Sequence, residues 1–392
     1  MSRLVRAASL GAALLIGSAD SSFRPAPFRM GSRPDGLPRA AAQARVPAPP
    51  FDGVRDADVA GSPTPSPALL VLAKTDHVLS IVDPATLRVV GQVASGPDPH
   101  EVIASADGEL AYISNYGGGA YNTITVVDLL QRTAASVIDL GPLRGPHGLV
   151  FVGGKVWFTA EGAKVIGSYD RSTQKVDWVL GTGQNRTHML FVSADMKRIV
   201  TTNVSSGTVT IIEPSSGQRR GPGPGPGSPP PGPPGGPGPV PRLDWDETVV
   251  PVGSGPEGFD VSPDGKEAWV ANAQDGTISV IDVATKQVVQ TLAVDVRGAN
   301  RLKFTPDGSL AFVSTLRGPD VTVLRSATRA VMKRVLIGRG AAGIVMQPDG
   351  ARAYVACTPD DDVAVIDVKS LSVIGRIAAG KQPDGLAWAV RP

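Results

Sequence analysis

Short segments in which apolar and polar residues alternate recur along this chain, and each is bounded by a turn signal. In the clearest copy, residues 256–259, 268–272 and 277–282 alternate with the period of two that is typical of strands. The turn at 262–265 reads Ser-Pro-Asp-Gly. Because Pro presets φ, Asp bonds its own backbone and Gly accepts a positive φ, this segment predicts a tight hairpin.

The same unit returns along the chain, and its first strand begins at seven aligned positions. These positions are His100, His147, His188, Glu257, Asn300, Ala342 and Asp384. Their spacing is 41 to 47 residues, except for 69 residues between His188 and Glu257, where a low-complexity segment is inserted. Units of four short strands at this period are typical of β-propeller blades.

The two ends of the repeat region complement each other. Three strands precede the first aligned position, at 69–72, 79–83 and 89–93, whereas the last copy, 384–390, holds a single strand. We therefore predict an all-β, seven-bladed β-propeller over residues 68–390, closed by pairing the C-terminal strand with the three N-terminal strands of blade 1. Such closure removes the exposed sheet edges that invite aggregation.

The first residues have the order of an export signal. Arg3 and Arg6 precede an apolar run at 7–16 that ends in small residues. The run is too short to span a bilayer, so we predict a signal peptide over residues 1–19 that is cleaved at its end. A periplasmic or secreted protein with no membrane span is expected; a cytoplasmic protein with an apolar start is the alternative.

Two segments lack any periodicity. Residues 20–67 are rich in Pro, Ala and Arg, and we predict a disordered linker there. Residues 219–242 are rich in Pro and Gly and fall between the third and fourth strands of blade 4. We predict a disordered insert, either a solvated loop extension or a polyproline segment that binds a partner. Cys357 is the single cysteine, which excludes an intramolecular disulfide.

The charge is concentrated at the N-terminus. Residues 1–67 contain eight Arg and five Asp and neither Lys nor Glu, a net of +3, while the whole chain carries +2. The rest of the chain is therefore near −1, which disfavours nucleic-acid binding by the propeller. We expect a monomer.

Three of the four histidines occupy the same repeat position in consecutive blades. The loops that enter the first strands and leave the second strands share one face, here called the top face, so His100, His147 and His188 should converge at the top of the central channel. One interpretation is polar side chains facing channel water. Another is a divalent metal on the three imidazoles, with an open fourth position or Glu257 as fourth ligand. The third is acid–base catalysis, with Glu161 orienting an imidazole.

The top-face loops carry further candidates for ligand binding. They are Asn115, Glu257, Asn300, Arg301, Asp384, Arg144 and Arg186. Arg grips carboxylates in a bidentate manner, but acidic and basic residues nearly balance here, so an anionic ligand and ordinary surface charge both stay open. The sequence contains no nucleotide-phosphate loop, paired-cysteine motif or nucleophile elbow.

Two blades carry the residues of a known repeat. Residues 268–272 with 278–282, and 353–357 with 363–367, resemble the YVTN-repeat β-propeller family, and the likeness extends over about residues 68–390. The resemblance implies an exported or surface protein, and it bears on the fold more than on any activity.

Blade 2 resembles a second family. Residues 99–100 followed by 113–119 look like the blade signature of the lactonase family of seven-bladed propellers, which includes sugar lactonases and a fungal muconate-cyclising enzyme. The resemblance implies a top-face site of His, Glu and Arg without flavin or nicotinamide. It carries over to His100 and Asn115, with His147 as a second histidine.

We therefore expect an exported propeller that binds a small ligand or a protein partner at the top face of its channel. The first alternative is a lactonase-like hydrolase or cyclising lyase that uses His100, His147 and His188 with Glu161 or Glu257 and an Arg that grips a carboxylate. The second alternative is a metal-binding propeller in which the same three histidines hold a divalent metal. The sequence leaves the choice between enzyme and binding protein open.

Overall fold

The computed structural model describes residues 63–215 and 244–392. In these residues, 28 strands form seven four-stranded antiparallel sheets, which confirms the predicted all-β, seven-bladed propeller. The predicted signal peptide, nearly all of the predicted linker and the predicted insert at 219–242 lie outside the described residues.

Each sheet runs from an inner strand to an outer strand, and consecutive inner strands contact one another around the central channel. The inner strands are β4 (Pro99–Ala104), β8 (Pro146–Val152), β12 (Thr187–Val192), β16 (Pro256–Val261), β20 (Ala299–Phe304), β24 (Ala341–Met346) and β28 (Pro383–Ala389). The second strands are β1 (Ala68–Ala73), β5 (Leu110–Asn115), β9 (Lys155–Ala160), β13 (Ile199–Asn203), β17 (Glu267–Asn272), β21 (Leu310–Thr315) and β25 (Arg352–Cys357).

The two remaining rows complete the blades. The third strands are β2 (Val78–Asp83), β6 (Thr123–Asp128), β10 (Val165–Asp170), β14 (Thr208–Pro214), β18 (Thr277–Asp282), β22 (Asp320–Arg325) and β26 (Asp362–Asp367). The outer strands are β3 (Arg88–Ala94), β7 (Thr133–Asp139), β11 (Lys175–Gly181), β15 (Trp245–Pro251), β19 (Gln287–Ala293), β23 (Ala330–Leu336) and β27 (Ser372–Ile377). Two short 3-10 turns, Gly117–Gly119 and Thr358–Asp360, follow second strands. Neither helical turn in residues 63–215 and 244–392 is long and apolar enough to cross a membrane.

The ring closes in the predicted way. β28 pairs with β1 in register Leu69 to Trp388 and Leu70 to Ala387, so the last strand completes the blade begun by the first three. Contacts with the propeller begin a few residues before β1, since the buried Thr64 donates its hydroxyl to the carbonyl of Leu129 at 2.6 Å.

The core lies between neighbouring blades. Second strands are buried almost throughout, because both of their faces are covered, whereas outer strands such as β7 are largely exposed. One large apolar side chain recurs in most second strands and packs on the next blade. Examples are Tyr112 against Phe151, with ring centroids 5.8 Å apart, and Trp269 against Phe304, at 5.3 Å. The burial of these side chains between blades accounts for them without any ligand.

Candidate functional site

Each inner strand carries extra backbone at its top end. In β8, Pro146 pairs with Ala160 and Leu149 with Phe158, so His147 and Gly148 together face a single residue of β9. Bulges of this kind bend a strand and redirect its side chains. The register shifts at the corresponding place in the other six inner strands. The seven aligned positions of the repeat are therefore bulge residues.

Gly148 and Thr159 set the distance between the bulges of blades 3 and 4. The Thr159 hydroxyl donates to the carbonyl of His188 at 2.6 Å and accepts from the N–H of Gly148 at 2.9 Å. A Cβ on Gly148 would lie 2.6 Å from that same carbonyl oxygen. The missing side chain therefore lets the two bulges, and with them His147 and His188, come together.

The three bulge histidines form a row of touching rings. Ring centroids are 4.5 Å apart for His100 and His147, and 3.9 Å apart for His147 and His188. His147 and His188 are each only 1 % exposed, whereas His100 is half-buried at the end of the row. Tyr116 packs on His100 and His147, with centroid distances of 4.9 and 5.1 Å. The structure thus brings the three predicted rings to one place.

His188 lies between two carboxylates. Its Nδ1 is 2.5 Å from Glu161 Oε1, and its Nε2 is 3.1 Å from Glu257 Oε1, although this second contact is not aligned as a hydrogen bond. Burial alone lowers the pKa of His188, but the two carboxylates outweigh it and raise the pKa above its ordinary value. Burial likewise raises the pKa of both carboxylates, but the contacts with His188 lower it by more. The net effect is a lowered pKa for Glu161 and a pKa of about 2 for Glu257. At pH 6.5 the group is therefore mainly an imidazolium between two carboxylates.

His147 has the opposite electrostatic environment. Its Nδ1 is buried and has no hydrogen-bond partner among the described residues. Burial lowers the pKa of His147 well below its ordinary value, and the neighbouring His188 and His100 act in the same direction. A neutral imidazole, able to accept a proton or bind a metal ion, therefore lies against a protonated one, with the two ring planes 38° apart.

Two side chains hold the carboxylates from outside. Tyr116 donates its hydroxyl to Glu161 Oε2 at 2.5 Å. Arg186 Nη2 is 3.2 Å from Glu257 Oε1, and its Nε is 3.6 Å from Glu161 Oε1. Arg186 has a φ of 56°, at a point where blades 3, 5, 6 and 7 use glycine. Its side chain is 42 % exposed, so of this group it is the one most accessible to a ligand from solvent.

The His100 end of the row has its own charged partners. Lys74 Nζ donates to His100 Nδ1 at 2.7 Å and lies 3.3 Å from Asp384 Oδ2. Burial lowers the pKa of His100, with Asp384 opposing the shift. His100 is therefore a neutral acceptor whose Nδ1 is engaged by an ammonium group.

Arg301 connects blade 6 with blade 2. Its guanidinium pairs with Glu101 and donates to the carbonyl of Asn300 at 2.9 Å. Both charged side chains are about nine-tenths buried, so the pair is held in a medium of low polarity. The side-chain Oδ1 of Asn300 is buried without a hydrogen-bond partner among the described residues.

Two of the sequence candidates lie apart from the histidine row. Asn115 donates its Nδ2 to Thr123 and Thr125 of the adjoining strand, at 2.9 and 3.0 Å, and thereby fastens β5 to β6. Arg144 is exposed and donates to the carbonyl of Ala120 at 2.9 Å. Neither set of contacts includes a channel histidine, so the ligand-binding roles of these two residues stay predictions.

Three buried residues lie close enough to bind a metal. His147, Glu161 and His188 each offer one ligand atom, and these atoms are within 4.8 Å of one another. The metal-ligand set expected from the sequence was His100, His147 and His188, whereas the group of close donor atoms in the structure contains Glu161 in place of His100. The all-histidine set stays a prediction.

Two contributors to the site were missed in the sequence. Lys74 and Tyr116 occupy the same repeat position as Glu161, the first residue after a second strand, in blades 1, 2 and 3. The equivalent residues of the other four blades are Val204, Ala273, Leu316 and Thr358. Aligning this position as well as the bulge position shows a second polar row in neighbouring blades, and that signal identifies both residues.

Comparisons with known proteins support the fold. No family model and no curated protein match this chain. A solved protein of unknown function from Desulfotomaculum acetoxidans is 13 % identical with a TM-score of 0.66, covering 83 % of this chain and 100 % of that one. A Bacteroides fragilis protein assigned provisionally as a 6-phosphogluconolactonase is 15 % identical with a TM-score of 0.61, covering 83 % and 99 %.

A third solved structure is a dihydro-heme d1 dehydrogenase, 14 % identical with a TM-score of 0.55, covering 81 % of this chain and 74 % of that one. At these identities the similarity shows the propeller fold alone. Membership of the YVTN-repeat family stays a prediction.

Proposed function

We propose that this propeller binds a small molecule at the top face of its central channel, in contact with His147 and the Glu161–His188–Glu257 group. The observation that carries the proposal is the buried His147 imidazole with an unpartnered Nδ1, stacked on a buried ionic group. Unpaired polar atoms and buried charges cost stability, so a cluster of them is more typical of a functional site than of a structural one.

The fold itself does not require polar residues at these positions. Ala342 occupies the bulge position of blade 7 and is buried there. A propeller blade therefore closes equally well around an apolar residue. The polar side chains of blades 2 to 5 then have to be explained by something other than folding.

A small molecule suits the site better than a protein partner does. His147, Glu161 and His188 are buried, and a protein surface resting on the top face would not reach them. A small molecule that enters the channel would first meet Arg186 and then the histidine row.

The test is ligand binding by wild type and by His147→Ala. We expect a panel of small carboxylates and lactones to contain a compound that raises the melting temperature of wild type and has no such effect on the variant. The variant should itself fold with a nearly unchanged melting temperature, because alanine is tolerated at the equivalent position of blade 7. Equal binding by both proteins would refute the proposed site.

A second candidate function is lactone hydrolysis, or the reverse cyclisation, and the neutral state of His147 favours it. His147 would take a proton from water as the hydroxyl adds to the lactone carbonyl. It would return that proton to the ring oxygen when the carbon–oxygen bond breaks, so that lactone and water give a hydroxy acid. Arg186 would hold a substrate carboxylate. The provisional lactonase assignment of one structural neighbour agrees with this candidate through the fold only.

Turnover would have a defined pH dependence. A general base must be unprotonated, and the pKa of His147 is lowered, so kcat/KM should stay constant as the pH falls through 6.5 and decline only at more acid values. A decline centred at the ordinary histidine pKa would assign the base to another group, and the absence of turnover across a lactone panel would leave binding as the function.

A further inference from the structure

We infer that His147, Glu161 and His188 are the ligands of a divalent transition-metal site of the zinc class in the central channel. The inference deepens the proposed function, because it names an ion that the channel site holds. It rests on the proposed function only in placing that ion at the same site. Two imidazoles and one carboxylate, with a fourth position left open, form a donor set that zinc uses in catalytic sites.

The distances are those of a site that closes on an ion. Metal–nitrogen and metal–oxygen bonds of about 2.0–2.2 Å place tetrahedral donors roughly 3.3 Å apart. Here Glu161 Oε1 and His188 Nδ1 are 2.5 Å apart, and all three donors lie within 4.8 Å. The 2.5 Å separation has to widen by about 0.8 Å and the longest to shorten by up to about 1.5 Å, changes that rotamer shifts can supply.

An unpartnered nitrogen atom is an independent sign of a missing ligand. His147 Nδ1 is buried and has no hydrogen-bond partner among the described residues. Buried polar atoms are normally satisfied, so this nitrogen needs a partner that the described residues do not supply. A metal ion is a partner for imidazole nitrogen.

The charge of the site favours a cation. The side chains that surround the histidine row include three cationic groups and five carboxylates. They are Lys74, Arg186 and Arg301, and Asp98, Glu101, Glu161, Glu257 and Asp384. When all three histidines are neutral, which for His188 means that it releases its proton as the ion binds, two formal negative charges remain, and one divalent ion balances them.

Outer contacts would fix the ligands. Tyr116 holds the second oxygen of Glu161, and Arg186 contacts both Glu161 and Glu257. Such partners orient metal ligands and are often needed for tight binding. The mixed nitrogen and oxygen set selects zinc-class ions over Mg²⁺ and Ca²⁺, which prefer oxygen ligands throughout.

His100 does not belong to this ligand set. Its Nδ1 accepts from the Lys74 ammonium at 2.7 Å, and the group of donor atoms that lie within 4.8 Å of one another consists of His147, Glu161 and His188 without it. Substitution of His100 therefore separates the inferred set from the all-histidine set.

The experiment is a titration of the chelator-treated, full-length protein with Zn²⁺, and with Co²⁺ followed by its visible absorption, in the absence of any small-molecule ligand. Wild type should bind one ion per chain. Glu161→Gln and His147→Asn should each weaken binding by at least about 100-fold, since loss of an outer partner alone typically costs 10–100-fold. His100→Asn should bind as wild type does, and so should His77→Asn, a change at a turn residue with a φ of 53° that asparagine accepts.

Failure to bind one ion per chain, or equal affinity in Glu161→Gln and wild type, would overturn the inference. Loss of binding in His100→Asn would also overturn it, in favour of the all-histidine set. Circular dichroism of each metal-free variant shows whether a loss of binding comes from unfolding, and the two single-ligand variants give independent readings. Because no organic ligand is present, a negative result leaves the proposed small-molecule binding standing, and a failed ligand screen leaves the metal site standing.

Discussion

At the scale of single residues, the site rests on two neighbouring imidazoles in opposite charge states. His188 is held between Glu161 and Glu257, while His147 touches no carboxylate and is fully buried. The difference comes from partners and not from depth, since both rings are equally inaccessible. One ring is therefore suited to donating a proton and the other to accepting one.

This contrast can be measured by imidazole ¹⁵N NMR in the metal-free protein. His188 should remain protonated as the pH rises past 6.5, because its pKa is raised by Glu161 and Glu257, and His147 should remain neutral as the pH falls below 6.5. His188→Gln and His147→Gln assign the two signals. Two rings that titrate together near 6.5 would contradict the electrostatics described here.

The raised pKa of His188 makes the stability of the folded protein depend on pH. A raised folded-state pKa means that protonation of His188 contributes stability that is fully present below its ordinary pKa of 6.5 and is lost as the pH rises through the folded pKa. In Glu257→Gln, an uncharged side chain near His188 should lower the pKa of His188 and move that loss to lower pH. The measurement is the free energy of unfolding as a function of pH for both proteins; identical profiles would remove Glu257 from the group.

At the scale of strands, a repeated bulge places one side chain of every blade at the channel mouth. The bulge comes from the register between the inner and second strands, and glycine at position 148 allows two bulges to meet. The blades and their hairpin turns could be predicted from the sequence because both depend on local patterns such as Asp264-Gly265. The convergence of three histidines could be predicted because residues at the same position of each repeat lie at the same height around the central channel.

The partners of those histidines could not be predicted in the same way. Whether His188 contacts Glu161, Glu257 or both depends on side-chain rotamers and on the spacing of adjacent blades, which no local pattern encodes. Tyr116 and Lys74 were missed because only one of the two top-face repeat positions was compared across blades. Asn115, singled out by family resemblance, makes its described hydrogen bonds within its own blade.

Gly148→Ala tests the contact between the blade 3 and blade 4 bulges. Its methyl group would lie 2.6 Å from the His188 carbonyl oxygen, so β8 and β12 must separate, at a cost of about 1–3 kcal/mol in the free energy of unfolding. The matched control is Gly181→Ala at the end of β11, where nothing lies within 4 Å of the added carbon. Denaturant unfolding should show a loss in the first variant and a change within about 0.5 kcal/mol in the second. Equal stability of the two variants would mean that the bulges are not held together at this point.

At the scale of the whole molecule, stability depends on closing the ring. A chain that ends at Gln382 lacks β28 and exposes the edge of β1, which should cause aggregation and loss of cooperative unfolding. The control removes residues 219–242. The N–H of Ser215 donates to the carbonyl of Asp244 at 2.8 Å, so the described residues on either side of that segment are adjacent and a short linker can join them. Size-exclusion chromatography should find the first variant aggregated and the second monomeric; a monomeric first variant would contradict the role given to closure.

Export is the other prediction at this scale. If residues 1–19 are a signal peptide, the mature protein recovered from a secreting host should begin at Asp20. Edman sequencing of that protein decides the matter. A mature chain that still begins at Met1 would refute the predicted cleavage.

The first and last strands of the propeller pair within one sheet, and this has a consequence for engineering. Arg391 donates its N–H to the hydroxyl of Ser66 at 2.9 Å, beside the pairing of Ala68 with Ala389. A short peptide could therefore splice the ends, and new termini could be opened at the Asp349-Gly350 turn between β24 and β25. Such a circular permutant would keep every sheet. Its termini would lie in blade 7, away from Lys74, Asp384 and the histidine row. The propeller could then be labelled or immobilised through these termini without a change at the mouth of the central channel.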